Sequence, residues 1–344
     1  MSQVTFLIGY GNEKSEGRGI YQVNAGSKHI SASLVFACQE KPGGLVQQNG
    51  QLFLSFQGNN EAGIYRFDLS KSDPFNEPER SILPFFITAW ANGPSPDTLL
   101  GSSFYDGVDV LLNIASVPVV AQSITHDYRQ RSADKRQNSP HPHHICLLPG
   151  DLFACSVDMG VDTVSLLAVT PDSLKMLDTT LIDAPVGDGP RILRLRSDGK
   201  FAYLLNEISN SLCVFAIEYD EPNGKPAFRE LQRLRVVQET TVSNSPAACC
   251  LTEDERHLIV SNRGENSLVL FSIDPVSGLL TERHRIATAS IPRDITISGT
   301  AIFVAAQSAN RIQLFSLDPM QHRLHLCGEV NGVESPVAFI IKNS

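Results

Sequence analysis

Seven times along the chain, a tight polar turn is followed by a short segment in which apolar and polar residues alternate. The copies are GRGIYQV, EAGIYRFDL, YDGVDVLLNI, VDTVSLLAV, SNSLCVFAI, ENSLVLFSI and ANRIQLFSL. A period of two over such a stretch is the signature of a β-strand with one face against a core. The first apolar residues of these strands are Ile20, Ile64, Val108, Val164, Leu212, Leu268 and Ile312, spaced 44, 44, 56, 48, 56 and 44 residues apart. A repeat near this length, built of short strands and turn signals, suits one four-stranded blade of a β-propeller.

Prolines form a second series. Pro42, Pro84, Pro140 or Pro142, Pro190, Pro246, Pro292 and Pro336 each precede an apolar run. Proline is tolerated at the beginning of a strand and not in its middle, so these positions mark strand starts. Each such strand runs to a turn (QNG, NGPSPD, PGD, SDGK, TEDE, SG) and then to a second apolar strand, as in FAYLLNE, HLIVSNR and AIFVAAQ. The order within a blade is inner strand, second strand, third strand and a more variable outer strand. The chain begins with a second strand (VTFLIGY) and finishes with an inner one (SPVAFIIK). The expected fold is therefore all-β: one domain over residues 1–344, a seven-bladed β-propeller of four-stranded antiparallel sheets. Its N- and C-terminal strands share one blade, which removes exposed sheet edges. An open solenoid would want distinct polar caps, and none is visible.

Composition narrows the partners. The formal net charge of −9 argues against nucleic acid and anionic membranes, both of which need a basic surface. No apolar run approaches the ~20 residues of a membrane span. Met1 to Tyr10 lack a basic start and a cleavage site, so the expected compartment is the cytoplasm. The cysteines Cys38, Cys146, Cys155, Cys213, Cys249, Cys250 and Cys327 are odd in number and form no C-x-x-C. They read as buried reduced thiols.

Candidate chemistry follows from pairing. Adjacent strands of a blade are antiparallel, so the start of the inner strand lies beside the end of the second strand, at the mouth of the central channel. Inner-strand starts carry His141, His143 and His144 (SPHPHH), Arg191 (GPR) and Arg293 (PRD). Second-strand ends carry Asp158 (VDMGVD), Glu207 (NE), Arg263 (SNRG) and Gln307 (AAQS). Arginines and histidines recurring at equivalent positions of an acidic chain suggest a local anion site. The expected partner is a small anionic substrate, and the expected state is a monomer or weak homo-oligomer.

Several stretches carry a family resemblance: QNSPHPHHICLLPGDLFACSVDMGVDTV, GDGPRILRLRSDGKFAYLLNEISNSLCVF, SNRGENSLVLFSID and IPRDITISG. In these the chain resembles the lactonase family of seven-bladed propellers, of 6-phosphogluconolactonase type. That family includes sugar-lactone hydrolases and carboxy-cis,cis-muconate cyclases. The resemblance implies His143, Glu207, Arg191 and Arg263 as the catalytic group, with His141 and Asp158 filling the H-x-H and D-x-G-x-D patterns. The chain departs from the family at Ile192, at Gln57, at Gly9-Tyr10-Gly11-Asn12 and at Phe104-Tyr105-Asp106-Gly107.

Lactone hydrolysis needs an activated water, stabilisation of the tetrahedral oxyanion and groups that hold an anionic substrate. Glu207 or His143 is the expected base. Arg191 and Arg263 would bind the ring carbonyl oxygen and a phosphate or carboxylate, with His141, Asp158, Arg293 and Gln307 as substrate contacts. No cofactor and no metal are expected. Each residue also has a structural reading. Glu207 and Arg263 would form an ion pair tying blades, Arg293 would pair with Asp294, and Asp158 and Asp162 would close a turn through Asx bonding. The charged segment Thr125 to Ser139 reads first as an exposed loop, with a basic lid leaning over the mouth as the alternative. The leading functional expectation is a hydrolase opening 6-phosphogluconolactone. The competitors are a lactonase or lactonizing cyclase on a muconate-type dicarboxylate, and a non-catalytic interaction scaffold.

Overall fold

The computed structural model describes residues 3–12, 14, 16–26, 29–128, 132–220, 224–238 and 243–341. Seven four-stranded sheets, ordered sequentially as blades, account for the strands among them. By contact, the chain falls into two compact units, Met1–Pro42 with Leu234–Ser344, and Gly43–Arg233.

In the first unit, the strand Pro336–Ile341 pairs with Gln3–Tyr10, and that strand pairs in turn with Arg18–Ala25 and Ile30–Ala37. The last strand of the chain is thus the inner strand of the first blade, as the offset of the repeats predicts. The sixth and seventh blades occupy the same unit, starting at the strands Ser245–Leu251 and Pro292–Ser298. The second unit holds the third to fifth blades and nearly all of the second.

Burial follows strand position. The second strands Thr98–Ser103 and Phe201–Asn206 are buried at every residue, because both faces of a central strand meet apolar neighbours. Outer strands such as Pro226–Arg235 alternate with solvent, which accounts for their variable sequence. In the second unit, Leu148, Val157, Leu166, Leu193, Leu204 and Phe215 join the fourth and fifth blades in one core cluster. All seven cysteines are free thiols, four of them buried and three partly so.

The proline series holds with one exception. Pro142, Pro190, Pro292 and Pro336 are the first residues of their strands, and Pro246 is the second residue of its strand. Pro84 instead follows the outer strand Glu79–Leu83, and the inner strand of the third blade is only Ala89–Asn92. The intervening backbone is held mainly by side chains, beside one backbone bond from the Thr88 N–H to the Ser102 carbonyl. Ser103 Oγ donates to the Phe86 carbonyl, Ser55 Oγ donates to that of Ile87, and the Phe86 N–H donates to Asp106.

Candidate active site

The geometry of the site begins with register. Pro142 pairs with Asp158, Pro190 with Asn206, Pro246 with Asn262 and Pro292 with Ala306. The starts of inner strands therefore lie beside the ends of second strands, as antiparallel pairing requires. Immediately after each of these prolines the register shifts. The extra residue is His143 in the fourth blade, Arg191 in the fifth and Arg293 in the seventh. A bulge leaves one residue outside the ladder and re-aims its side chain. This repeated bulge is the local device that presents these three residues.

The same register separates Asp158 from the other acidic and polar candidates. Glu207, Arg263 and Gln307 fall at or next to the ends of their strands, one residue beyond Asn206, Asn262 and Ala306. Asp158 occupies the position of Asn206 and Asn262 themselves, and a one-residue step along a strand exchanges faces. Asp158, Asn206 and Asn262 are fully buried. The Asp158 carboxylate works inside the protein. Its Oδ1 accepts from the backbone N–H groups of His141 (2.8 Å), Gly160 (2.8 Å) and Val161 (3.3 Å). The role as a substrate contact gives way to one in the scaffold, and the Asx-turn reading is the one the contacts support. Asp162 does the equivalent for the next blade. It accepts from Gly187 N–H (2.9 Å), Gly189 N–H (2.7 Å) and Gln137 Nε2 (2.7 Å). One aspartate of the D-M-G-V-D turn thus holds the histidine segment, and the other holds the glycines leading into Pro190 and Arg191.

Gly160 lies between them because nothing larger fits. A Cβ there would stand 1.9 Å from the Ser139 carbonyl oxygen and 2.8 Å from the His141 nitrogen. Both obstacles are backbone, so Gly160→Ala should force the Ser139–His141 segment off the turn. Overpacking of this kind costs about 1–3 kcal/mol. A chemical-denaturation midpoint equal to that of the parent chain would refute the expectation.

His141 and His143 sit half-buried beside Phe104. The His141 ring stacks on Phe104 at 4.3 Å, and His143 meets it edge-on at 5.6 Å. His141 Nδ1 is 2.8 Å from the Phe104 carbonyl oxygen. A carbonyl only accepts, so Nδ1 carries a proton, and in the neutral ring Nε2 is then the acceptor nitrogen. The Ser139 hydroxyl lies 3.1 Å from that Nε2. The Nδ1 of His144 is buried and without a hydrogen-bond partner.

In the fifth blade, Arg191 donates through Nη1 to Glu207 Oε2, with side-chain exposures of 8% and 9%. Arg136 approaches the other carboxylate oxygen at 3.7 Å. The inner strands of the fourth and fifth blades pack against each other, so the histidine and arginine bulges belong to adjoining blades. Glu207 thus forms an ion pair with Arg191.

Sequence reading missed Arg136, because the segment from Thr125 to Ser139 looks solvated throughout. Residues 129–131 of it lie outside the described residues. The remainder is anchored: Asp134 caps the short helical turn Lys135–Gln137, and Gln137 is fully buried, donating to the Met159 carbonyl and to Asp162. Asp134 also pairs with Arg136, whose hydrogen bonds pull the Asp134 carboxyl down to about 2. His126 was missed as well. It is buried with Asp109 and Asp158 on either side. The readable signal was Asp109, an acid inside the apolar strand VDVLLN, since a buried carboxylate requires a partner.

In the other unit, Arg263 Nε donates to the Ser245 carbonyl at 3.1 Å. Gln307 donates to Ser335 Oγ at 3.2 Å. Arg293 stands 6.0 Å over the ring of Tyr10, while Asp294 accepts from the Phe339 N–H. Among the described residues, no group of three or more His, Cys, Asp or Glu side chains is placed to hold a metal ion.

A family model described as lactonase, 7-bladed beta-propeller matches residues 5–341. The chain belongs to the lactonase family. This lactonase-family chain is 31% identical to the 6-phosphogluconolactonase of Bacillus subtilis over 360 residues, covering 97% of its own length and 98% of the relative's. An uncharacterized protein of Lactococcus lactis is 27% identical, with 92% and 93% covered. Among solved structures, a Lactobacillus plantarum protein superposes with a TM-score of 0.88 at 22% identity, with both chains fully covered. A periplasmic gluconolactonase of Pseudomonas aeruginosa does so at 0.85 and 23%, covering 99% of each chain. These likenesses establish the fold of the lactonase-family chain as a seven-bladed propeller. No helix among its described residues is long and apolar enough to cross a membrane.

Proposed function

We propose that the protein is a hydrolase that opens 6-phosphogluconolactone to the corresponding hydroxy acid. The observation that carries this reading is the nearly buried Arg191–Glu207 pair, in the blade adjoining a histidine whose Nδ1 is held by the Phe104 carbonyl and whose Nε2 lies beside the Ser139 hydroxyl. The full-length similarity to the Bacillus subtilis enzyme supports the phosphorylated substrate.

Both Glu207 oxygens face guanidinium groups, which makes the carboxylate an orienter of Arg191 and a poor proton acceptor. The base is therefore an imidazole. His141 Nε2 takes the proton from water as the hydroxide oxygen bonds to the lactone carbonyl carbon. The Arg191 guanidinium meets the resulting oxyanion, where charge-assisted bonds in a shielded site are strongest. Collapse breaks the ring C–O bond, and the imidazolium returns its proton to the leaving alkoxide. The product is an open hydroxy acid.

The test is pH-stat hydrolysis of freshly made δ-6-phosphogluconolactone beside δ-gluconolactone and a muconolactone. The phosphorylated lactone should be the best substrate, and His141→Gln should slow it by about 10²–10⁴-fold, the usual worth of general base catalysis. A larger loss in His143→Gln would transfer the role to His143. Alanine substitutions of Arg263 and Arg293 in the same assay report their share. Absence of acceleration on all three lactones would refute the proposal and favour a scaffold.

A further inference from the structure

We propose that His126 is a positioning residue for the histidine mouth: an imidazolium locked between Asp109 and Asp158 that, through Asp158, keeps His141 in place.

The ring has lost nearly all contact with solvent, its side chain being 4% exposed and both carboxylates 0%. Nε2 lies 2.7 Å from Asp109 Oδ2, and Nδ1 lies 2.8 Å from Asp158 Oδ2. A neutral imidazole carries one N–H, so one of these contacts would then set a nitrogen lone pair against a carboxylate oxygen. With both nitrogens protonated, each faces an acceptor. The contact to Asp158 is off the line of a good hydrogen bond and acts as an ion pair.

The remaining carboxylate oxygens are satisfied separately. Asp109 Oδ1 accepts from Ser102 Oγ at 2.5 Å, and Asp158 Oδ1 accepts the three backbone N–H groups of the mouth segment and its turn. The groups facing the ring are thus Asp109 on the strand Val108–Asn113, and Asp158 and Ser156 on the strand Phe153–Asp158. The Ser156 hydroxyl is 3.4 Å from Nε2. Burial by itself would drive the proton off His126. The charge of Asp109, then its hydrogen bond, then Asp158 outweigh that and raise the imidazole to about 10. The cation therefore persists through neutral pH.

Asp158 is the link to chemistry. One oxygen meets His126 and the other holds the His141 backbone, while Phe104 fixes the His141 ring by stacking and by its carbonyl. Removing the cation would leave two carboxylates facing each other in a buried site. Asp158 would turn away, and the His141 N–H would lose its acceptor.

The test uses the full chain with ¹⁵N-labelled histidine, followed by two-bond ¹H–¹⁵N correlation spectra across pH. In the parent protein, His126 should show both ring nitrogens protonated up to high pH, and His141 the Nδ1–H tautomer. His126→Gln keeps a donor and removes the charge. It should blur or reverse the His141 tautomer signature, shift the alkaline limb of the rate profile and lower kcat by roughly 100-fold with KM little moved. A parent His126 that titrates near the ordinary value of about 6.5 would overturn the proposal. So would a His126→Gln protein that keeps both the His141 signature and the rate profile. Should that variant fail to fold, the titration of the parent protein still decides. The kinetic arm alone rests on the lactonase reading. A chain inactive on every lactone would refute that reading, while the two spectral signatures would continue to judge His126.

Discussion

Arg191→Ala is expected to abolish most lactone hydrolysis and to destabilise the fold at the same time. Arg191 and Glu207 are almost equally buried and bond directly. Removing the arginine takes away the direct partner of the carboxylate, while Arg136 stands 3.7 Å away and is 40% exposed. Breaking a buried pair by deleting one partner costs about 3–5 kcal/mol, because the survivor is charged and poorly solvated. Loss of a buried contact to an anionic substrate accounts for a further loss of about 2–5 kcal/mol in transition-state binding. The two effects separate in the double variant. Arg191→Ala with Glu207→Gln removes both charges, so its stability loss should be smaller than the sum of the single losses. Its activity should stay as low as that of Arg191→Ala. Recovery of turnover in the double variant would show that Arg191 matters only as a partner for Glu207.

The second large effect is loss of stability on the alkaline side. The folded value of His126, about 10, lies above its ordinary value of 6.5. Its contribution is therefore complete below 6.5, declines as pH rises and is gone above about 10. A shift of this size amounts to a few kcal/mol, on the order of several tenths of the stability of a typical domain. Two buried thiols, Cys38 and Cys213, are also pushed up, from 9.0 to about 12, mainly by burial. Their contribution is full below 9 and fades only above it. The slope between pH 7 and 9 thus isolates His126 among the groups with raised values. Urea midpoints should therefore lose more over that interval in the parent chain than in His126→Gln. Because Cys146, lowered to about 5, adds an opposite slope over this interval in both chains, the difference between them decides: equal pH slopes in the parent and His126→Gln would contradict the buried cation.

How far the sequence could be read depended on the range of each interaction. Blade strands were legible because alternation and the fixed φ of proline act within a few residues. Ile20, Ile64, Val108, Val164, Leu212, Leu268 and Ile312 all fall in third strands. His143, Arg191 and Arg293 were found at the correct strand starts, since antiparallel pairing is implied by the repeat. Pro84 misled because its segment spends its backbone groups on the side chains of Ser103, Asp106 and Ser55. No local pattern reports that substitution.

The chain alone determined the family, the blade count and which residue types gather at strand ends, all being matters of short-range periodicity and motif. Only the folded chain decided which charge faces which. Asp109 and His126 are 17 residues apart in the chain, and Asp158 lies farther on in the next blade. Their meeting depends on strand register, on the bulge after each strand-starting proline and on the anchoring of Gln137. A one-residue step separates Asp158, turned inward at the last position of its strand, from Glu207, just beyond the end of its own, a difference written in backbone geometry rather than in composition.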